Sequence, residues 1–319
     1  MMKSDKPKVI AVVGPTASGK TALSVEIAKR FGGEVISADS MQIYKDMDIA
    51  TAKVTKEEMQ GIKHHLIDFL PMDALFSVAN YVELAHNAIK EICGRSLLPV
   101  IAGGTGLYVD NLLSGTVFTE GETDMKVREE LQKKLEAEGL DCLLSELETV
   151  DRETYEKLSV ERNPKRIIRA LEIYKTTGIT MSEQNKLSKP DESPYDYLKI
   201  GLDFKQREAL YDRINLRVDR MMDAGLVEEA RAFFAANAGS TAVQVIGYKE
   251  LEPYIKGEAE LDVCVESLKR ATRRYAKRQL TWFRRDKNTK WFYVDEYTSS
   301  AELISAVEDF LISEGFDIK

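Results

Sequence analysis

The run Gly14-Pro15-Thr16-Ala17-Ser18-Gly19-Lys20-Thr21 fits G-x-x-x-x-G-K-[ST] without mismatch. Gly14 and Gly19 let the backbone wrap closely, so that successive N–H groups face a phosphate. A helix opening behind the loop adds the positive end of its dipole. Lys20 is placed to reach terminal phosphate oxygens, and the Thr21 hydroxyl suits Mg2+. The chemistry is phosphate binding, but the molecule that carries the phosphate is left open. In NTP-hydrolysing proteins an apolar strand ends in an Asp that supports the metal. Here the corresponding run, Pro99-Val100-Ile101-Ala102-Gly103-Gly104-Thr105-Gly106, ends without a carboxylate, and Asp203 is a weak substitute. A diphosphate borne by another molecule would satisfy the cradle as well as ATP.

A second constellation, Asp39-Ser40-Met41-Gln42, closes another apolar run. A carboxylate there would face the phosphate site and take a proton from an incoming nucleophile. An Asx-turn or a helix cap accounts for the same residue. The Gln42 amide suits the edge of a nucleobase, or an ordinary solvated turn. Thr105 sits in a second glycine turn that would approach the first at the carboxyl ends of the strands.

These groups need a scaffold. Apolar runs at Val9–Val13, Val35–Ala38, Val100–Ala102, Leu198–Leu202 and Trp291–Val294 read as buried strands, with helical patterns between them. Strands apolar throughout, alternating with helices, predict an α/β fold with a parallel sheet covered on both faces. From Glu120 to Arg162 the character changes to helical, with 14 acidic residues against 7 basic ones. One helix is expected from Asp124 to about Ala137, ended by Gly139. Another is punctuated by Asn163 as N-cap, Pro164 in the first turn and Gly178 beyond its end. Residues 184–197, with Pro190 and Pro194, read as a loop. The organisation expected is a core of residues 1–119 and 199–319 interrupted by a helical insertion, 120–198. In the second part of the core, Arg213 and Arg217 share one helix face.

Composition bounds the function. The 319 residues carry a net charge of −8, with 44% hydrophobic and 31% charged residues, values typical of a globular chain. No apolar run approaches the roughly 18 residues of a membrane span, and the polar N-terminus shows no signal peptide. Cys93, Cys142 and Cys264 fit neither a disulfide framework nor a zinc site, so a reducing cytoplasm is expected. Adjacent His64 and His65 would point apart in a strand, which argues against a shared metal. The overall acidity argues against a polyanionic partner, yet Cys264–Lys290 holds 10 Lys/Arg against 2 acids. That segment is +8 and the remainder −16. Arg273, Arg274, Lys277 and Arg278 in this helix predict salt-dependent binding of nucleic-acid phosphates. Tyr275, Trp282 and Phe283 read as core aromatics, with base stacking as the alternative.

Seven blocks together resemble the bacterial tRNA dimethylallyltransferases. They are Gly14–Thr21, Asp39–Tyr44, His64–Asp68, Gly103–Tyr108, Arg213–Asp219, Gln244–Lys249 and Ala276–Phe283, in family order. The resemblance implies a P-loop NTPase-like core and transfer of a dimethylallyl group from its diphosphate to an exocyclic adenosine amine. That adenosine lies immediately 3′ of the anticodon in the anticodon stem-loop of tRNA. Mg2+ and a monomer are also implied. Asp39 would be the general base, with Ser40, Met41 and Gln42 on the target base, and Thr105 near the diphosphate and the reacting amine. Lys20, Arg217 and Arg213 would hold diphosphate. Gln244, Val245, Ile246, Gly247, Tyr248 and Lys249 would touch tRNA, as would Arg128, Asn163, Pro164, Lys165 and Arg166. No Cys/His cluster follows Cys264, so the C-terminal zinc module of the eukaryotic relatives is not expected in this sequence.

Three other functions fit parts of the sequence. A small-molecule or nucleotide kinase would use the loop and Asp39 but leave the basic helix idle. A non-catalytic P-loop RNA-binding protein would leave Asp39 and Thr105 without chemistry. A prenyltransferase acting on free adenylate would need fewer RNA contacts.

Overall fold

The computed structural model describes residues 6–118, 124–188, 190–236 and 245–319. The chain first lays down β1 (Lys8–Val13), α1 (Lys20–Phe31), β2 (Gly33–Ser37), α2 (Lys56–Met59), β3 (His64–His65), α3 (Val78–Gly94), β4 (Leu98–Gly103) and α4 (Gly106–Ser114). A helical run follows: α5 (Met125–Glu138), α6 (Leu140–Val150), α7 (Arg152–Glu161), α8 (Pro164–Thr177) and α9 (Met181–Leu187). The chain then returns to the sheet with β5 (Asp196–Asp203), α10 (Arg207–Asp223), α11 (Leu226–Ala235), α12 (Tyr248–Ile255), α13 (Leu261–Phe283), β6 (Lys290–Tyr293) and α14 (Ser300–Ser313).

The six strands among the described residues form one parallel sheet in the order β3-β2-β4-β1-β5-β6. Every residue of β1 after Lys8 is buried, because helices cover both faces of the sheet. Ile10, Val12, Val100, Ile200 and Leu202 pack on one face against Leu23, Ile27 and Phe31 of α1 and Leu303, Val307 and Leu311 of α14. On the other face α3 crosses β2 and β4. A second apolar cluster joins Ile43, Tyr44 and Met47 to Val218 of α10, Phe233 of α11, Tyr248 of α12 and Leu268 of α13. It fixes the 41–50 segment and α13 against each other.

The expected strands all fall on observed ones, within a residue or two. β3 was not expected, being two residues long and paired only with β2. His65 Nε2 meets Glu34 Oε2 at 2.6 Å, while His64 Nδ1 meets the Ile62 carbonyl at 3.0 Å, so the two rings serve separate partners. Arg95 and His65 together hold the Glu34 carboxyl down to about 2.

The chain divides into two compact units, 1–113 with 194–319, and 114–193. These limits lie a few residues before the 120 and 198 expected from sequence, because Pro194 already belongs to the approach to β5. The smaller unit is α5–α9 around Leu131, Leu143, Leu147, Leu158, Ile167 and Leu171. Asp124, Asn163 and Gly178 occupy the capping positions that their types suggest. The start of the 184–197 loop is corrected: α9 runs to Leu187, launched by a capping box between Thr180 and Glu183.

Candidate active site

The 14–21 loop turns through positive φ at Gly14, Ala17 and Gly19. A Cβ at Gly14 would stand 2.5 Å from the Leu202 carbonyl of β5, so only glycine lets the loop lie this close to the sheet. The Ser18 hydroxyl and Lys20 Nζ both donate to the Pro15 carbonyl, at 2.8 and 2.6 Å. Gly103 closes the second turn: its Cβ position would fall 2.1 Å from the Ala38 carbonyl. That contact holds the end of β4 against the end of β2.

Gln279 ties the two turns together. Buried on α13, it accepts from Thr16 N–H at 2.9 Å and donates to the Gly104 carbonyl at 3.1 Å.

A cavity of about 300 Å3 opens above these turns. Its polar wall includes Thr16, Lys20, Thr21, Asp39, Ser40, Gln42, Arg217, Tyr275 and Arg278; its apolar wall includes Met41, Val218, Met221, Val245, Ile246 and Leu268. Burial and the neighbouring Arg217 pull the Lys20 ammonium from 10.5 down to about 7, with Asp39 opposing them. Burial likewise lowers Arg217, again against Asp39. Lys20, Arg217 and Arg278 share this wall with Asp39 as its one lining carboxylate, so the site is short of negative charge.

Asp39 makes the Asx-turn that its sequence position allowed. Oδ1 accepts from Met41 N–H at 2.9 Å and Gln42 N–H at 3.4 Å, an Asx-turn. Oδ2 has no hydrogen-bond partner among the described residues and stays available for a proton. Thr105 works from behind: its hydroxyl accepts from Ser40 N–H at 3.0 Å, and its N–H donates to Ala38.

The arrangement places a glycine loop, three cations and a carboxylate oxygen around one cavity with an apolar wall. The model of the family described as IPP transferase matches residues 42–286. A tRNA dimethylallyltransferase of Caldanaerobacter subterraneus subsp. tengcongensis is 46% identical over 307 residues, 95% of this chain and 97% of that one. One of Bacillus cytotoxicus is 45% identical over 309 residues, 97% of each chain. The chain belongs to the IPP transferase family. Among solved structures, the tRNA isopentenylpyrophosphate transferase of Bacillus halodurans superposes with a TM-score of 0.72 at 42% identity, covering 97% of this chain and 96% of that one. A eukaryotic dimethylallyltransferase acting on tRNA gives a TM-score of 0.80 at 29% identity, covering 98% and 81% respectively.

Set against this family, the remaining sequence candidates separate. Arg217 lines the cavity, whereas Arg213 donates to the Ala17 carbonyl at 3.0 Å and braces the loop from outside. Asp203, weighed as a metal carboxylate, is instead spent on Arg284 and Phe204 N–H. The Gln42 amide nitrogen is committed to the Thr51 and Ala52 carbonyls, at 3.3 and 3.2 Å. Val245 and Ile246 reach the cavity and Lys249 is exposed, but Tyr248 is core, stacked on Phe233. Gly247 stands at the start of α12 with a φ of 121°, and Gln244 lies outside the described residues.

On α13, Arg274, Lys277 and Arg278 are exposed, while Arg273 donates to Asn215 at 2.6 Å. In the smaller unit Arg128 bonds the fully buried Glu172 at 2.9 Å. Asn163 accepts from Lys165 and Arg166 N–H as a helix cap, Pro164 opens α8, and Arg166 pairs with Glu161. Lys165 is exposed.

Gln279 was not among the sequence candidates, and Tyr275 was read there as core, with base stacking as the alternative. Tyr275 faces the cavity, its hydroxyl pushed up by burial and Asp39. No helix of the described residues is long and apolar enough to cross a membrane.

Proposed function

We propose that the protein transfers the dimethylallyl group of dimethylallyl diphosphate to the exocyclic amine of an adenosine in the tRNA anticodon loop, on the 3′ side of the anticodon. The observation that carries this reading is the shared cavity: phosphate cradle, apolar wall and the open oxygen of Asp39 lie around one space. An allylic diphosphate has one end for the cradle and another for the apolar wall. The kinase alternative finds less support, because Asp203, the weak substitute for its metal-supporting acid, is already held by Arg284.

The allylic C–O bond breaks with its electron pair leaving on diphosphate, while the amine lone pair forms the new C–N bond. The amine proton passes to Asp39 Oδ2. Backbone N–H groups of the loop, Lys20 and Arg217 stabilise the negative charge as it departs. The adenine amine is a weak nucleophile because its lone pair is delocalised into the ring. Fixed placement of the base, with Ser40 held by the Thr105 hydroxyl, together with proton acceptance by Asp39, is therefore what the protein contributes. A base in a folded loop reaches such a cavity only by leaving its stack.

The donor set also suits Mg2+. Thr21 lines the cavity and its hydroxyl has no partner among the described residues. One protein hydroxyl completed by diphosphate oxygens and water is a set this ion accepts. Bound there, Mg2+ would supply neutralising charge to the leaving diphosphate.

The test is label transfer. Radiolabelled dimethylallyl diphosphate is incubated with the protein and unmodified tRNA or AMP, and labelled nucleoside and released diphosphate are followed. Label in tRNA with equal diphosphate release is expected. Label in AMP alone would shift the acceptor to free adenylate, and label in neither would reject prenyl transfer.

A further inference from the structure

Glu229, on α11, has a role that no motif announces. Its carboxylate receives three consecutive backbone N–H groups: Asp48 at 2.9 Å and Ile49 at 2.7 Å on Oε2, and Ala50 at 2.9 Å on Oε1. A fourth donor, the Tyr248 hydroxyl, reaches Oε1 at 2.8 Å. Successive N–H groups turned to one side make an anion-binding concavity. Here the anion is a side chain of the same protein. Bonds to a charged acceptor are about twice as strong as neutral ones, so the carboxylate fixes this loop firmly.

The opposite side of the loop is the cavity wall, where Ala50, Thr51 and Ala52 lie. The Thr51 and Ala52 carbonyls are the groups that take both hydrogens of the Gln42 amide. With Nε2 consumed, Oε1 is the end of Gln42 left for a ligand. We propose that Glu229 is a positioning residue for acceptor recognition. By clamping the 48–50 backbone it orients the Thr51 and Ala52 carbonyls, which hold Gln42 with its oxygen offered to a nucleobase. An acceptor so fixed suits a base that presents an amine and disfavours one that presents a carbonyl. The inference rests on the reading that a nucleobase amine is the acceptor of the transfer.

The experiment is a double-substitution cycle on the full chain with unmodified tRNA. Glu229→Gln keeps the shape of the side chain and removes its charge. Its kcat/KM for tRNA is expected to fall by about tenfold to a hundredfold, the scale of a lost charge-assisted hydrogen bond. KM for dimethylallyl diphosphate is expected to stay within about twofold, because the diphosphate cradle does not include this loop. In a Gln42→Ala background, Glu229→Gln is expected to add less than about twofold, since the group it orients is gone. Tyr248→Phe, which keeps the stacked ring and removes one donor, is expected to show a smaller loss of the same kind. It serves where Glu229→Gln does not fold. Unchanged tRNA kinetics in these variants, or losses that multiply in the Gln42→Ala background, would overturn the proposal while leaving prenyl transfer standing. Wild-type protein that labels no tRNA would overturn both.

Discussion

Lys20 and Asp39 show how two ordinary side chains acquire chemistry from their surroundings. The Lys20 ammonium titrates near 7 in the ligand-free protein because burial and Arg217 disfavour its charge. A diphosphate in the cradle reverses that balance and raises the pKa again, so binding near pH 8 draws a proton onto Lys20. Affinity therefore weakens as pH rises above about 7, with a slope approaching one proton. Calorimetry of dimethylallyl diphosphate binding in buffers of different ionisation enthalpy is expected to show this uptake. Lys20→Arg, whose guanidinium stays charged, is expected to abolish it. Equal uptake in both proteins would contradict the assignment. The phosphate loop and Asp39 were legible in the sequence because each is a contiguous run whose chemistry depends on neighbours in the chain. The division of labour within Asp39, one oxygen for the turn and one left open, was not. It depends on where the Met41 and Gln42 amides point.

Among the elements, α13 does most to shape the cavity. Gln279 bonds Thr16, 263 residues earlier, and Gly104, 175 residues earlier. Both partners are backbone groups, which carry no residue-type signal, and so Gln279 was not legible as a clamp in the sequence of this helix. Gln279→Leu would leave the half-buried Thr16 N–H and the buried Gly104 carbonyl unpaired. The expected cost is about 1–3 kcal/mol of stability, measured by denaturant unfolding. KM for dimethylallyl diphosphate is expected to rise as the loop loosens. Unchanged values of both would show that the clamp is dispensable. The short elements were the least legible for a related reason. β3 exists through its pairing with β2, and α9 starts at a capping box that the nearby Pro190 and Pro194 obscured.

Across the whole molecule, a net charge of −8 conceals a concentrated positive strip. Some of its members are engaged internally: Lys269 pairs with Asp219 at 2.7 Å, and Arg284 with Asp203. Arg270, Arg274, Lys277 and Arg278 remain exposed on α13. The fold class was legible from the apolar strand runs. Which basic residues face solvent was not, because that depends on acids brought in from α10 and β5. Replacing Arg274 and Lys277 with alanine is expected to weaken tRNA binding and to lower the salt slope by about one per residue. KM for dimethylallyl diphosphate should not change. Titrations across a range of salt concentrations that give the wild-type slope would place the RNA elsewhere.

The open oxygen of Asp39 is proposed to take the amine proton while the 14–21 loop, Lys20 and Arg217 accept diphosphate. Asp39→Asn tests it most directly, since the amide oxygen can keep both turn hydrogen bonds to Met41 and Gln42 without serving as a base. In single-turnover label transfer with tRNA prebound, the variant is expected to bind within about twofold of wild type and to react slower by about a hundredfold or more. A single-turnover rate equal to that of the wild-type protein would contradict it.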